Sequence, residues 1–218
     1  MTMAPTGLNE LTAADLAAWV RRASALIAEH ADELTELDAA IGDADHGTNM
    51  RRGMAAVVEA VDAGGPGGAD ALLKKAGMTL VSTVGGAAGP LYGTFLLRMG
   101  GALKDVGAIG STSLADAVEA GVGGLVARGK AAEGEKTMLD AWYPALRALR
   151  GHPEDIVAAT RAAADAAASG RDATEPMIAT KGRASYLGER SAGHIDPGAA
   201  STAIIVDALA RAVAGETA

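Results

Sequence analysis

Three aspartates and a histidine crowd one short stretch of this 218-residue chain, where Leu37 to Asn49 reads Leu-Asp-Ala-Ala-Ile-Gly-Asp-Ala-Asp-His-Gly-Thr-Asn. Asp38 closes an apolar-periodic run (Leu34, Leu37, Ile41), and Asp43 and Asp45 fall in a turn between Gly42 and Gly47, residues that accept backbone angles others avoid. Carboxylates gathered this closely repel one another unless a cation joins them. Hard oxygen donors suit Mg²⁺, Mn²⁺ or Ca²⁺ better than zinc or copper. The EF-hand ligand pattern with its terminal Glu is missing. The competing reading, in which Asp43 and Asp45 only cap the next helix, explains one aspartate more readily than all three with His46.

Two further stretches could grip an anion. Gly85-Gly86-Ala87-Ala88-Gly89-Pro90 would let backbone approach a ligand closely, and Pro90 suits the first turn of a following helix whose free N–H groups bind phosphate. Its spacing and the lack of a preceding strand argue against a dinucleotide-binding GxGxxG motif; a plain helix-helix turn is the alternative. Lys181 to Pro197 is a long polar loop without periodicity, of the kind that forms lids, and Arg183 within it carries the forked donors that hold a phosphate. A solvated loop is the alternative there. Gly64-Gly65-Pro66-Gly67-Gly68 is read as a plain loop, because no Walker lysine follows it.

The elements that must position these residues read as helix after helix, rich in alanine and leucine, with aromatics at only 3% and little strand-like alternation. Thr12 and Asp15 form a capping box ahead of Leu16, Val20, Ala23 and Ile27. A second helix covers His30 to Ile41, and Met50, Met54, Val57 and Val61 mark a third. A fourth, capped by Asp70, runs to Val84. Ser113 and Asp116 read as a capping box for a helix with Leu114, Val118, Val122 and Leu125 inward, ending at Arg128-Gly129-Lys130. Its Gly121, Gly123 and Gly124 each cost about 0.5–1 kcal/mol against alanine, which close packing would offset. Thr137 and Asp140 cap the next helix, whose Met138 is a candidate wall for a flat apolar ligand or plain core, and whose Pro144 is expected only to kink it. An alanine-rich helix from His152-Pro153-Glu154-Asp155 to Ser169 follows, with no role for His152. Asp196-Pro197 then caps a last helix carrying Ala200, Ile204, Leu209 and Val213.

Composition excludes several classes of function. A net charge of -8 without a run of Lys and Arg offers no basic footprint for nucleic acid or anionic membrane. Zero cysteines rule out disulfides, thiolate metal sites and Cys nucleophiles. Met1 to Asn9 lacks a basic segment leading into an apolar core, and no stretch is apolar enough to span a bilayer, so a cytoplasmic protein is expected. With no composition break, residues 1–218 are expected to form a single domain.

An antiparallel all-α bundle brings these corners together. Short connections place alternate loops at one end, so Asp38 to Asn49, Gly85 to Pro90, Gly129 to Thr137 and Lys181 to Pro197 can share a rim. Carboxylates for divalent cations, helix starts and an arginine are the parts needed to hold a polyphosphate. Residue types and spacing thus lead to a Mg-nucleotide binder.

Gly42-Asp43-Ala44-Asp45-His46-Gly47, Gly85 to Thr94, Lys136-Thr137-Met138, Lys181 to Gly188 and Asp196-Pro197-Gly198 together resemble the nucleotide-binding subunit L of bacterial dihydroxyacetone kinase, over nearly the whole chain. The resemblance implies an up-and-down barrel of about eight antiparallel amphipathic helices, with the nucleotide at one rim. It implies ADP or ATP with two Mg²⁺ ions on Asp38, Asp43 and Asp45. It also implies nucleotide contacts at His46, Gly47, Thr48, Asn49, Ala87, Ala88, Gly129, Thr137, Met138, Arg183, Asp196, Pro197 and Gly198. Ala88 stands where the family often has serine, which leaves only the backbone N–H for phosphate; a neutral hydrogen bond contributes about 0.5–1.5 kcal/mol, so a weaker grip is expected.

The cycle implied is one in which resident ADP accepts a phosphoryl group from a phosphohistidine on subunit M and passes it to dihydroxyacetone held on subunit K. No residue of this chain is then assigned a covalent role. A homodimer is a further candidate assembly. The alternatives are the nucleotide-binding part of an ATP-dependent ketose, tetrose or fatty-acid kinase, and a Mg-nucleotide regulatory module.

Overall fold

A computed structural model describes residues 10–64 and 67–216; Met1 to Asn9, and Gly65 and Pro66 of the expected Gly-rich loop, lie outside the described residues. The described residues form α1 (Ala13–Glu29), α2 (Ala31–Ile41), α3 (His46–Asp62), α4 (Ala69–Thr83), α5 (Ala88–Ala102), α6 (Ser111–Gly129), α7 (Leu139–Arg150), α8 (Ile156–Ala173), a 3-10 segment (Arg183–Ser191) and α9 (Pro197–Val213). All of them except α2 and the 3-10 segment close a ring, α1 to α3, then in order to α9 and back to α1, each packed on the next. The expected antiparallel barrel is therefore present. α2, separated from α1 by His30 alone, leaves the ring and packs on α3, α9 and the 3-10 segment.

The ring alternates in direction: most of its connections are short, and the two long ones, which carry α2 and the 3-10 segment, leave and return at the same end. As a result α3, α5, α7 and α9 all start at one end, the mouth, where their first residues line a single cavity. At the opposite end Leu11 and Ile109 exchange two backbone hydrogen bonds, of 2.8 and 3.0 Å, tying the entry of α1 to the entry of α6.

Local sequence accounts for most of the elements. The Thr12–Asp15 capping box forms, and Leu16, Val20, Ala23 and Ile27 are buried on one stripe of α1. Two expected caps do not form. Asp70 lies inside the first turn of α4, paired with Lys74 at 3.1 Å, and Gly68 occupies the cap position without a side chain to offer. α6 starts at Ser111, ahead of Ser113, because the Ser111 hydroxyl donates to the His152 carbonyl at 2.6 Å and pins this helix start to the α7–α8 turn. Asp116 consequently turns outward to Arg150 at 2.9 Å.

The core runs through the centre of the ring, where Phe95 of α5 stacks on Trp142 of α7 with ring centroids 4.1 Å apart. Gly121 of α6 faces this pair, and a Cβ there would come within 2.6 Å of the Phe95 ring. The helix propensity lost at Gly121 is offset by that packing. Gly123 faces open space, and nothing in the structure explains it.

Candidate nucleotide and metal site

The α2–α3 turn is folded around one carboxylate. Asp38 is buried, and its Oδ2 accepts hydrogen bonds from the backbone N–H of Asp45 at 2.9 Å and of His46 at 3.1 Å. Gly42 is required where it is, since a Cβ there would collide with the Asp38 carboxylate. The chain then reverses through Ala44 at φ 61°, a left-handed conformation costing an L-residue roughly 1–2 kcal/mol. That reversal presents Asp43 and Asp45 beside Asp38, with one carboxylate oxygen from each lying within 4.8 Å of the others. The donor set is all oxygen and carries three negative charges, so it fits a hard divalent cation such as Mg²⁺. One cation already faces it: Arg183 Nη2 lies 3.0 Å from Asp43 Oδ2.

His46 begins α3 beside these aspartates. Its Nε2 meets the Ser201 hydroxyl at 2.8 Å, and burial lowers its pKa against the opposing pull of Asp38 and Asp45. Ser201 in turn meets the Tyr92 hydroxyl at 2.8 Å, and Tyr92 also bonds Thr202 Oγ1 at 2.7 Å and the Gly198 carbonyl at 3.0 Å. Burial raises the Tyr92 phenol far above its ordinary range, so it stays a neutral hydrogen-bonding group. This buried network fixes the starts of α3, α5 and α9 relative to one another.

Across the mouth, the loop between α6 and α7 is organised by Asp140. Its buried carboxylate accepts from Gly134 N at 2.5 Å and Thr137 N at 2.7 Å, while the Thr137 hydroxyl accepts from Leu139 N at 3.2 Å. Only half of the expected Thr137–Asp140 capping box therefore forms: the Asp140 carboxylate takes Thr137 N, but the Thr137 hydroxyl is spent on Leu139 N, and α7 starts at Leu139 with Met138 at its cap. Asp196 caps α9 through Ala199 N at 2.7 Å. Its carboxyl is pushed up to about 7, chiefly by burial and further by Asp140 and Asp38, against the Ala199 hydrogen bond and Lys136.

These corners enclose a cavity of about 420 Å³, within the range of small-molecule sites. Of the residues expected at the site, Asp38, Asp43, Asp45, His46, Asn49, Ala87, Ala88, Gly129, Thr137, Met138, Arg183, Asp196, Pro197 and Gly198 line it. Gly47 and Thr48 do not: Gly47 is buried against the Ala31 carbonyl and Thr48 points to solvent. The expected unstructured Lys181–Pro197 loop is largely the 3-10 segment, broken at Gly188, and Lys181, Gly182, Arg183 and Ala184 reach the cavity. Sequence reading missed the apolar wall of Leu91, Leu125, Ala131 and Leu139, and also Lys136. For Leu125 a signal existed, its place in the last turns of α6, but it read as core.

The N–H groups of four helix starts, a carboxylate trio and an apolar wall on one cavity can bind a divalent cation, a polyphosphate and a flat apolar group together. Residues 40–211 match the DAK2 domain. The chain is 44% identical over 197 residues to the PEP-dependent dihydroxyacetone kinase, ADP-binding subunit DhaL, of Escherichia coli K12, which covers 89% of this chain and 94% of that one. It is 37% identical over 192 residues to the D-erythrulose kinase of Mycolicibacterium smegmatis, of which it spans only 33%. Its fold matches the crystal structure of the C. freundii dihydroxyacetone kinase in complex with AMP-PNP and Mg²⁺ at a TM-score of 0.71, with 26% identity, covering 97% of this chain and 36% of that one. A family match over most of the chain, together with this identity to a relative of similar length, establishes that the chain belongs to the DAK2 domain family.

Proposed function

We propose that this chain is the ADP-binding subunit of a phosphotransferase, a PEP-dependent dihydroxyacetone kinase. The observation that carries the reading is the carboxylate trio opening onto the same cavity as the starts of α3, α5, α7 and α9. Asp38, Asp43 and Asp45 would hold Mg²⁺, which when bound would supply positive charge to neutralise phosphate oxygens. The backbone at Ala87, Ala88, Thr137 and Gly198 would take the phosphates. Met138 and Gly129 would take the base.

In this reading ADP is a resident phosphoryl carrier. When bound, ADP would supply the phosphate that carries a phosphoryl group from a phosphohistidine on subunit M to a hydroxyl of dihydroxyacetone on subunit K. The chain's own contribution is to bind, orient and shield, which is what phosphoryl transfer chiefly requires of a protein. The identity to an ADP-binding subunit over 94% of that relative's length supports this choice over a kinase like the D-erythrulose kinase, of which the chain spans a third.

The test is to load the protein with labelled ADP and add a cognate phosphohistidine donor. Label should become bound ATP without release, and subunit K with dihydroxyacetone should return it to ADP. Rapid exchange of label with free nucleotide, with sustained turnover on free ATP, would move the chain to the ATP-dependent branch.

A further inference from the structure

Lys136 is only 1% exposed, yet it is a lysine on the lining of the cavity mouth. Its Nζ donates to the carbonyls of Thr174 at 2.8 Å, Met177 at 3.0 Å and Glu175 at 3.3 Å, so all of the ammonium's donors are used on the turn that ends α8. Of these, the Thr174 carbonyl belongs to the C-cap of α8, at the negative end of that helix's dipole, and the other two belong to the turn that follows it. Left uncovered, that end would face the same mouth that a polyanion enters.

The lysine also joins two helix starts. Its backbone stands at φ 62°, a conformation non-glycine residues rarely hold, and the residues on either side are tied down: Glu135 O accepts from Thr180 N at 3.3 Å and Thr137 N donates to Asp140 at 2.7 Å. From the far end of the side chain the connection continues through Thr174, whose Oγ1 accepts from Asp196 N at 3.0 Å, to the cap of α9. No carboxylate bonds the ammonium directly among the described residues, although Asp196 and Glu175 lie near enough to oppose the lowering of its pKa by burial.

We propose that Lys136 is a positioning residue of the phosphate site, which masks the C-terminal end of α8 and through Thr174 holds the α7 and α9 starts in register for a polyanion. The inference rests on the nucleotide reading of the mouth. The buried ammonium tips the balance of helix ends there toward positive potential, and its fixed length sets the spacing between the Thr137 and Asp196 corners. The residue acts through backbone it orders rather than by touching the nucleotide.

The test uses Lys136→Met, which keeps the apolar stem and removes the charge, with Mg-ADP and Mg-AMP titrated calorimetrically into nucleotide-stripped protein. Lys136→Met should keep its helical circular dichroism, weaken ADP at least tenfold, and shrink the preference for ADP over AMP at least threefold. Equal weakening of ADP and AMP, or none, would overturn the proposal and leave Lys136 a structural filler. Should Lys136→Met not fold, Thr174→Val against Thr174→Ser serves instead: the valine should show the same selective loss and the serine should restore ADP binding, and equal affinities in the two would sink the idea. Failure of the unsubstituted protein to bind ADP would instead count against the nucleotide reading itself.

Discussion

The two sides of the mouth are built on opposite principles. In the ring α7 stands diametrically across from α3, so the apolar wall of Leu91, Leu125, Ala131, Met138 and Leu139 faces the acidic corner of Asp38, Asp43 and Asp45. The wall is made of side chains continuous with the core, and the side chains of Leu125, Met138 and Leu139 pack into it. The acidic corner is held by backbone: a left-handed Ala44, a Gly42 with no room for a side chain, and two N–H groups on Asp38. Where a site must gather like charges, the fold supplies geometry through a strained turn, and where it needs apolar contact it extends what already stabilises the barrel.

The largest effects are expected in the acidic corner. Asp43→Ala should lower the ADP that co-purifies at least tenfold while urea denaturation changes by no more than about 0.5 kcal/mol, because the Asp43 side chain is surface-exposed. Asp38→Ala should lose the nucleotide and also roughly 2–4 kcal/mol of stability, since two N–H groups lose a charged acceptor. Wild-type nucleotide content in Asp43→Ala would break the contrast between metal-holding and structural carboxylates.

Asp196 lies between the two sides and should impose a pH dependence on the nucleotide-free protein. Its folded pKa of about 7 stands above the ordinary 3.8, so the folded state binds the proton more tightly and stability falls as pH rises from about 4 to about 7, then levels. The ceiling of this loss is about 4 kcal/mol. Urea midpoints should therefore decline between pH 5 and 8 in the unsubstituted protein and much less in Asp196→Asn; parallel profiles would refute the assignment.

On the wall, Leu91→Ala removes half-buried apolar surface worth about 1 kcal/mol, a five- to tenfold loss of nucleotide affinity. That loss should be the same with Mg²⁺ or with EDTA, whereas the Asp43→Ala loss should vanish in EDTA. A metal-dependent Leu91 effect would erase the distinction between the sides.

Ala44→Gly is the mildest change. It relieves the left-handed backbone but adds chain entropy to the unfolded state, for a net gain under about 1 kcal/mol in urea denaturation. If strain preorganises the aspartates, Mn²⁺ affinity followed by electron paramagnetic resonance should fall slightly even as stability rises.

The residues legible in the sequence were those whose signal is local. The aspartates between Gly42 and Gly47, the Thr12 and Asp196 caps and the apolar stripe of α1 all depend on neighbours within a few positions, so spacing alone exposed them. Local signals place the start of α6 a full turn too late and that of α7 one position too early, because a hydrogen bond from Ser111 to His152, in the turn after α7, and a carboxylate shared by Gly134 and Thr137 decide them.

What the sequence by itself determined is the helical class, the metal-suited donor set and the set of loops that carry the chemistry, because periodicity and turn chemistry act over one or two turns of chain. Tertiary structure alone decided which face of the mouth is apolar, that Arg183 meets Asp43, that Gly47 and Thr48 stay out of the cavity, and that Lys136 is spent on α8. Those outcomes depend on groups brought together from separations such as the 38 residues between Lys136 and Thr174 and the 109 between Tyr92 and Ser201. Only closure of the ring fixes such distances.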